Sequence, residues 1–596
     1  MSGFIGIVSA SGPPVDPALL MALSKSLVFR GPDGLSTHFD DMAGFGLSLL
    51  QNKSGYPQKN SIPKLDEHTW IVSDARLDSR TEVIARFERD EQRPLNTASD
   101  PELILHCYRR WGDSCLAGLT GDFSFALWDG TRKRLLCARD PLGVKPFFFT
   151  LTPGGFICSN TLECVRAHPE VSGSLDDLAL ADFLLFGAMQ DPSATAFAAI
   201  KRLPPGHSLV YEMGDLQIRR YWQPDWGEPL KYRHPSDTVE HFREVLQQAV
   251  ADRVTSPQTA VLMSGGLDST AVAATARGTQ SHIKAFTVVY DRLIPDEERY
   301  YSGEAAAFLS VPVEYLTADE YKLYEDVEDL ERPTPEPVDA PLAAIFFDHM
   351  RQVRNFSSVA LSGQGGDAIF AIPTGLGIQM LGSGQLRQLT SGAWHYLRLR
   401  RRIPPLGFRG SLKRVFSGPA RRVPSDYPPW LNPELESRLG LRERWFLHQK
   451  KGEPLAAPGV LLNPFWPALF EGYDPGVTGV PVEVRHPLLD LRLVRLCMSL
   501  SPVPWWIDKT LLRVAMQGRL PASICLRPKA PVVVDPVAVR LPGSGWLNTW
   551  EPSSRLHEFV IRDRIPSLCA NDTAQSWNLR PLALNRWLGR VHGGAA

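Results

Sequence analysis

The stretch from Thr259 to Ala276, TAVLMSGGLDSTAVAATA, leaves the backbone few paths. Ala260-Val261-Leu262-Met263 is an apolar run suited to a buried parallel strand, and the small residues from Thr270 to Ala276 close-pack as a helix opened by Ser269. Between them, Ser264-Gly265-Gly266-Leu267-Asp268-Ser269 must turn sharply with its N–H groups exposed. The hydroxyls of Ser264 and Ser269 add donors at the positive end of the helix, and the result is an anion cradle. The turn has no lysine after its glycines and so is not the GxxxxGK[ST] loop. It carries Asp268 instead. An aspartate beside phosphates requires a bridging cation, which implies Mg²⁺.

A second turn of the same kind follows the apolar strand Val359-Ala360-Leu361: Ser362-Gly363-Gln364-Gly365-Gly366-Asp367. Asp367 and Asp268 together supply two hard oxygen ligands that could hold Mg²⁺ against a triphosphate. Between the two turns, the strand Ile283 to Tyr290 ends in a turn and an acidic helix start, Asp296-Glu297-Glu298. Its carboxyl end is where a parallel sheet presents a ligand.

The first 222 residues read differently. Alternating or apolar segments at Gly44 to Leu50, Thr69 to Val72, Phe123 to Trp128, Arg134 to Ala138, Gly155 to Ser159 and Ser208 to Tyr211 predict stacked antiparallel sheets. Helical patterns at Pro17 to Val28 and Pro101 to Trp111 accompany them. A Pro-, Trp- and charge-rich linker, 223–236, separates this part from a second domain, 237–596, which opens on a helix over Thr238 to Val254. The expected fold class is thus α+β followed by α/β.

Composition narrows the function. A formal charge of −1 gives no pull toward nucleic acid or a membrane surface. The eight cysteines form no CxxC and no zinc-finger spacing, and read as reduced thiols. No apolar run approaches a membrane span and no export signal precedes the first strand, so the expected location is the cytoplasm.

The Ser264–Ser269 loop resembles the pyrophosphate loop of the N-type ATP pyrophosphatases, which activate a carboxylate as its adenylate. Three further motifs resemble the glutamine amidotransferase domain of asparagine synthetases, an N-terminal-nucleophile fold: Arg30-Gly31-Pro32-Asp33-Gly34, Gly121 to Asp129, and Ala138-Arg139-Asp140-Pro141-Leu142-Gly143-Val144-Lys145-Pro146. That domain attacks glutamine with a thiol at residue 2. This chain has Ser2. Gly46-Leu47-Ser48-Leu49 lacks the family's carboxylate-binding arginine, and Ser73-Asp74-Ala75 replaces Asn-Gly-Glu, while Asp100 is retained. The resemblance therefore implies a glutaminase domain without glutaminase chemistry.

The same resemblance assigns roles in the second domain. ATP and pyrophosphate contacts fall to Ser264, Gly265, Gly266, Asp268, Ser269 and Gly363, with adenine along Phe286 to Val288 and metal on Asp268 and Asp367. Glu483-Val484-Arg485-His486-Pro487-Leu488-Leu489-Asp490 matches the family's Glu-x-Arg-x-Pro-Phe-Leu-Asp segment, and makes Glu483 the candidate for deprotonating an attacking amine. His486 reads as a hydrogen-bonded structural histidine. Gln364 stands where asparagine synthetases have Glu and β-lactam synthetases Tyr. It cannot take a proton and reads as a donor orienting substrate. Ala368 departs from the pattern's Glu. Lys509-Thr510-Leu511-Leu512-Arg513 and Arg527-Pro528-Lys529 match the closing signature, with Lys529 stabilising charge on the adenylate and tetrahedral intermediate.

The segment 373–480 carries none of these motifs. From Arg387 to Arg422 it holds ten Arg or Lys and no Asp or Glu, which reads as a solvated face or as a dock for an acidic or peptide partner. Tyr427-Pro428-Pro429-Trp430-Leu431 through Trp445 looks like lasso-peptide cyclases. With Ser2, Gln364 and the basic insertion, this makes lasso-peptide macrolactam formation the expected activity: an Asp or Glu side chain of a leader-processed precursor peptide is adenylated and closed by the peptide's own α-amine. The implied partners are that core peptide and the pathway's leader peptidase and leader-recognition protein. The alternatives are β-lactam synthetase-like chemistry, ammonia-dependent asparagine synthesis, and a scaffold that binds ATP or peptide without turnover.

Overall fold

The computed structural model describes residues 2–10, 14–51, 60–88, 95–225, 227–325, 334–373, 375–406, 427–451, 457–528, 534–544, 547, 549–566 and 577–593. The amino-terminal part pairs two antiparallel sheets. In the first, β1 (Gly3–Ser9), β2 (Gly34–Phe39), β3 (Ala43–Leu49), β7 (Phe148–Thr152), β8 (Gly155–Ser159) and β9 (Lys201–Arg202) run in the order β2-β3-β1-β8-β7-β9. In the second, β4 (Thr69–Leu77), β5 (Gly121–Asp129), β6 (Arg134–Arg139), β10 (His207–Glu212) and β11 (Asp215–Arg220) run in the order β11-β10-β6-β5-β4.

Alternation along β5 shows why the two sheets stack. Ala126 and Trp128 point into the core shared with Phe4, Phe45 and Leu47 of the first sheet. Phe123, Phe125 and Leu127 point the other way, under Leu103, Ile104 and Cys107 of the helix Asp100–Trp111. On the far side, the helix Pro17–Lys25 buries Leu20 and Leu23 against Ile5. The predicted strands and both helices are present. The edge strands β2 and β11, half-buried and exposed respectively, carry no clean alternation, so sequence pattern did not show them.

The second domain begins with the helix Pro235–Ala251, started by a proline in its first turn and buried through Val239, Phe242, Leu246 and Val250. Its sheet is wholly parallel: β12 (Gln258–Leu262), β13 (His282–Val289), β14 (Val313–Thr317), β15 (Val359–Ser362) and β16 (Glu483–Arg485), in the order β14-β13-β12-β15-β16. The chain winds outward from β12 to β14, then returns to place β15 on the other side of β12. Both glycine-rich turns leave the carboxyl ends of these two strands at that reversal, where parallel sheets bind ligands.

The domains meet across buried ion pairs built from the motifs. Arg30 donates to both carboxylate oxygens of Asp474 at 2.5 and 2.7 Å, and Arg139 reaches Glu471 at 3.2 Å. Lys145 lies 3.1 Å from Glu483, and Arg253 bridges Asp78 and Asp490 at 3.1 and 2.6 Å. Removing either partner of such a pair would strand a buried charge.

The carboxyl-terminal helix Arg580–Gly593 folds back to the first domain. Trp587 and Leu584 join Leu180 and Phe197 in one apolar cluster with Trp430 and Trp445 of the insertion. In the basic stretch, the helix Leu386–Arg400 exposes Trp394 and Leu397; residues 407–426, with the rest of that charge run, lie outside the described residues. Seven cysteines are described, all buried and free. Among the described residues no helix is long and apolar enough to cross a membrane.

Candidate active site

The two turns interlock. A Cβ on Gly363 would fall 2.5 Å from the Ser269 nitrogen, and one on Gly366 would fall 2.3 Å from Asp268 Cγ. Only hydrogen at these positions lets the second turn press against the start of the first helix. Ser264 N–H donates to Ser269 Oγ at 3.0 Å, and the two hydroxyls lie 3.0 Å apart. Ser264, Gly266, Asp268, Ser269, Gly363 and Asp367 thereby line one cavity of about 530 Å³.

Lys509, one residue of the closing signature in the sequence, brings an ammonium into this cavity. Its Nζ lies 2.5 Å from Asp268 Oδ2 and 2.7 Å from Asp367 Oδ1. It reaches there from a left-handed turn at Asp508 and Lys509 (φ 50° and 52°). Arg527 encloses the loop: it donates to the Gly265 carbonyl at 3.2 Å and lies 3.7 Å from the centre of the Tyr301 ring. The Gly265 N–H itself donates to Glu298, whose carboxyl is pushed up by burial. Glu298 belongs to the acidic helix start noted in the sequence, but no pattern there indicated that it would reach the cradle.

The residues fit a magnesium ion. Asp268 and Asp367 converge on one cationic position, and among the described residues no three His, Cys, Asp or Glu side chains form a closed metal cage. Mg²⁺ characteristically takes one or two carboxylates and completes its shell with phosphate and water.

Other expected residues lie elsewhere. Phe286 is fully buried in the core and Val288 pairs with Leu316; neither side chain lines the cavity, so an adenine contact would use backbone. Lys529 lies outside the described residues; Arg527 and Pro528 just before it line the cavity.

Glu483 requires a correction. It starts β16 opposite Val359, at the amino end of β15, whereas the nucleotide cavity opens beyond the carboxyl end at Ser362. There it accepts from Lys145 at 3.1 Å and Arg485 at 2.8 Å, and these two cations hold its carboxyl well below the usual range despite burial. A carboxylate so paired is a poor base, and it does not line the cavity that holds Asp268.

His486 is fully enclosed, its Nδ1 2.7 Å from Ser362 Oγ, and burial lowers its pKa to about 4. It is a neutral structural histidine, as expected. Gln364 donates from Nε2 to the Tyr473 hydroxyl at 3.3 Å, and both side chains line the nucleotide cavity. Tyr473 lies within the unassigned insertion and gave no sequence signal.

A separate polar cavity of about 300 Å³ holds Ser2, Asp74, Arg80, Asp100, Glu483 and Arg485. The Ser2 hydroxyl accepts from Leu50 N–H at 3.3 Å. Gly46, in the place of the family's arginine, has no side chain, and a Cβ there would fall 1.8 Å from Ser24 Oγ; Asp74 pairs with Lys145 at 3.1 Å, and Asp100 is ion-paired to Arg80.

The comparisons agree with this two-part design. A glutamine amidotransferase domain model matches residues 1–222, and an asparagine synthase model matches 241–413 and 477–589. Asparagine synthetase [glutamine-hydrolyzing] 3 of Bacillus subtilis is 27% identical over 92% of this chain and 89% of its own length. A putative asparagine synthetase [glutamine-hydrolyzing] of Mycobacterium tuberculosis H37Rv is 28% identical over 62% of this chain and 60% of its own. The solved structure of a B. subtilis glutamine phosphoribosylpyrophosphate amidotransferase aligns at 12% identity over 63% of this chain and 83% of its own with a TM-score of 0.27, too distant to bear on the chemistry. With both halves matched in order and the phosphate loop, acidic pair and lysine assembled at the sheet's switch point, the chain belongs to the asparagine synthetase family, whose members are ATP-dependent amide-forming ligases.

Proposed function

We propose that this ligase closes a peptide on itself, joining an Asp or Glu side chain to the peptide's own α-amine to form a lasso-peptide macrolactam. The observation that carries the reading is the Arg80–Asp100 ion pair beside Ser2. The one acidic residue retained from the glutamine site is already engaged by the chain's own guanidinium. With a hydroxyl in place of the thiol as well, ammonia from glutamine is a poor nitrogen source, and the substrate must bring its amine.

The phosphates of ATP lie on Ser264 to Ser269, within reach of Lys509. Asp268 and Asp367 would hold Mg²⁺, which would supply charge neutralisation for the departing pyrophosphate. A side-chain carboxylate oxygen attacks the α-phosphorus, the bond to the β-phosphate oxygen breaks, and pyrophosphate leaves. The α-amine then attacks the acyl carbon, the acyl–phosphate oxygen bond breaks, and AMP leaves with the macrolactam. Lys529 stabilises the charge that grows in both steps. The proton leaves the amine to solvent or to a released phosphate oxygen, since Glu483 is committed to its cations. Gln364, steadied by Tyr473, donates to the substrate. Proximity within a prefolded peptide replaces an ammonia site.

Asparagine synthesis is favoured by a different fact, the names of the relatives, which are glutamine-hydrolyzing asparagine synthetases; with Ser2 in place of the thiol, that reading would draw on free ammonia. Incubation with ATP, Mg²⁺ and leader-free core peptides, followed by mass spectrometry, separates the readings. Peptide cyclisation removes one water per peptide and releases AMP. Aspartate- and ammonia-dependent AMP release without any change in peptide would overturn it.

A further inference from the structure

Beside the nucleotide cavity lies a larger chamber of about 1030 Å³ that no family motif lines except at its mouth. The two share Asp268, Gly363, Gln364 and Asp367, so a group held at the end of the chamber meets a nucleotide on the loop. A free amino acid is far smaller than a nucleotide, yet the chamber has nearly twice the volume of the nucleotide cavity. Size alone favours a longer occupant.

The walls are chemically suited to a polypeptide. Leu447, Leu462 and Phe465 line the chamber and remain 49%, 47% and 57% exposed, unusual for large apolar side chains grouped around a site. Gln190, Asn463 and His448 place polar groups among them. The opposing wall, residues 186–192, belongs to the amino-terminal domain. It is held rigidly against the insertion helix Leu441–Lys451: Arg444 donates to both oxygens of Asp182 at 2.5 Å, and Phe186 stacks on Trp445 at 5.8 Å and lies 4.3 Å from the His448 ring.

We infer that this chamber seats the peptide substrate, that Leu447, Leu462 and Phe465 cover its apolar side chains, and that the amino-terminal domain now serves to provide the facing wall. The inference rests on the peptide reading above and adds to it where the peptide lies. It also gives a domain with Ser2 in place of a thiol a direct part in the reaction.

The test uses the full chain and a set of synthetic peptides with a free α-amine and one Asp or Glu walked along the amino-terminal half. Pyrophosphate release is followed in the wild type and in Leu447→Trp and Leu462→Trp, with ATP affinity measured in parallel. Each tryptophan adds bulk to the chamber wall where the peptide would lie, so peptide KM rises by about tenfold or more while ATP Kd changes less than about twofold. Phe465→Ala removes cover instead of adding bulk; it raises peptide KM in the same way and decides the matter for any tryptophan variant that no longer binds ATP. If the wild type uses peptide and every variant keeps its peptide KM, the chamber is refuted and the peptide reading stands. If the wild type responds to aspartate and ammonia but to no peptide, both fall.

Discussion

Lys509 Nζ stands 2.5 Å from Asp268 Oδ2 and, through the same ammonium, 2.7 Å from Asp367. Two carboxylates from different turns would repel one another at this range; one lysine holds both in place and adds a positive charge to the cavity that must hold a polyphosphate. Lys509→Ala is therefore expected to lower kcat/KM for ATP by about 100-fold, with Lys509→Arg recovering part of it. Pyrophosphate release against ATP concentration reads the effect, and an alanine variant near wild-type efficiency would remove Lys509 from the site.

Asp268→Ala and Lys529→Ala should separate binding from chemistry. Loss of Asp268 should raise the Mg²⁺ and ATP requirement and cut turnover by about 100-fold or more. Loss of Lys529 should cut kcat by a similar factor with ATP affinity nearly unchanged. An active Asp268→Ala enzyme would refute the phosphate-site assignment.

Ser2→Cys should not create a glutaminase. The thiol would stand beside an Asp100 already paired to Arg80, and Gly46, in the arginine's place, offers no guanidinium for the substrate carboxylate. Glutamate release from glutamine should stay at background; a steady rate from this single change would show that the site still binds glutamine.

Glu483→Gln should cost stability rather than chemistry. It leaves Lys145 and Arg485 buried without their shared carboxylate, a loss on the order of 3–5 kcal/mol for a broken buried pair. Urea midpoints should fall while ATP KM in the folded fraction holds. A catalytic base would instead show full stability and a collapsed kcat.

His486 predicts an acid-labile seam. Its folded pKa of about 4 lies below the unfolded value of 6.5, so the unfolded chain binds the extra proton between those limits. Its neutral form supports the fold above pH 6.5, and that support is lost as pH falls toward 4, to a ceiling of roughly 3 kcal/mol. His486→Asn should flatten this part of the urea-midpoint profile; an unchanged slope would assign the lability elsewhere.

Whatever depends on neighbours along the chain is legible in the order of the residues. The apolar run ending at Met263, the glycines after it and the small residues to Ala276 permit little but strand, tight turn and helix. The same holds for Ser362 to Asp367 and for the alternation of β5. Tertiary structure decided which residues converge. Lys509 follows Asp268 by 241 positions and Tyr473 follows Gln364 by 109, distances at which no local pattern survives. It also decided that Glu483, inside a recognisable motif, faces Lys145 at the amino end of the sheet rather than the nucleotide at the carboxyl end. A motif names residues that occur together; only the direction of the strand that carries them says which cavity each one enters.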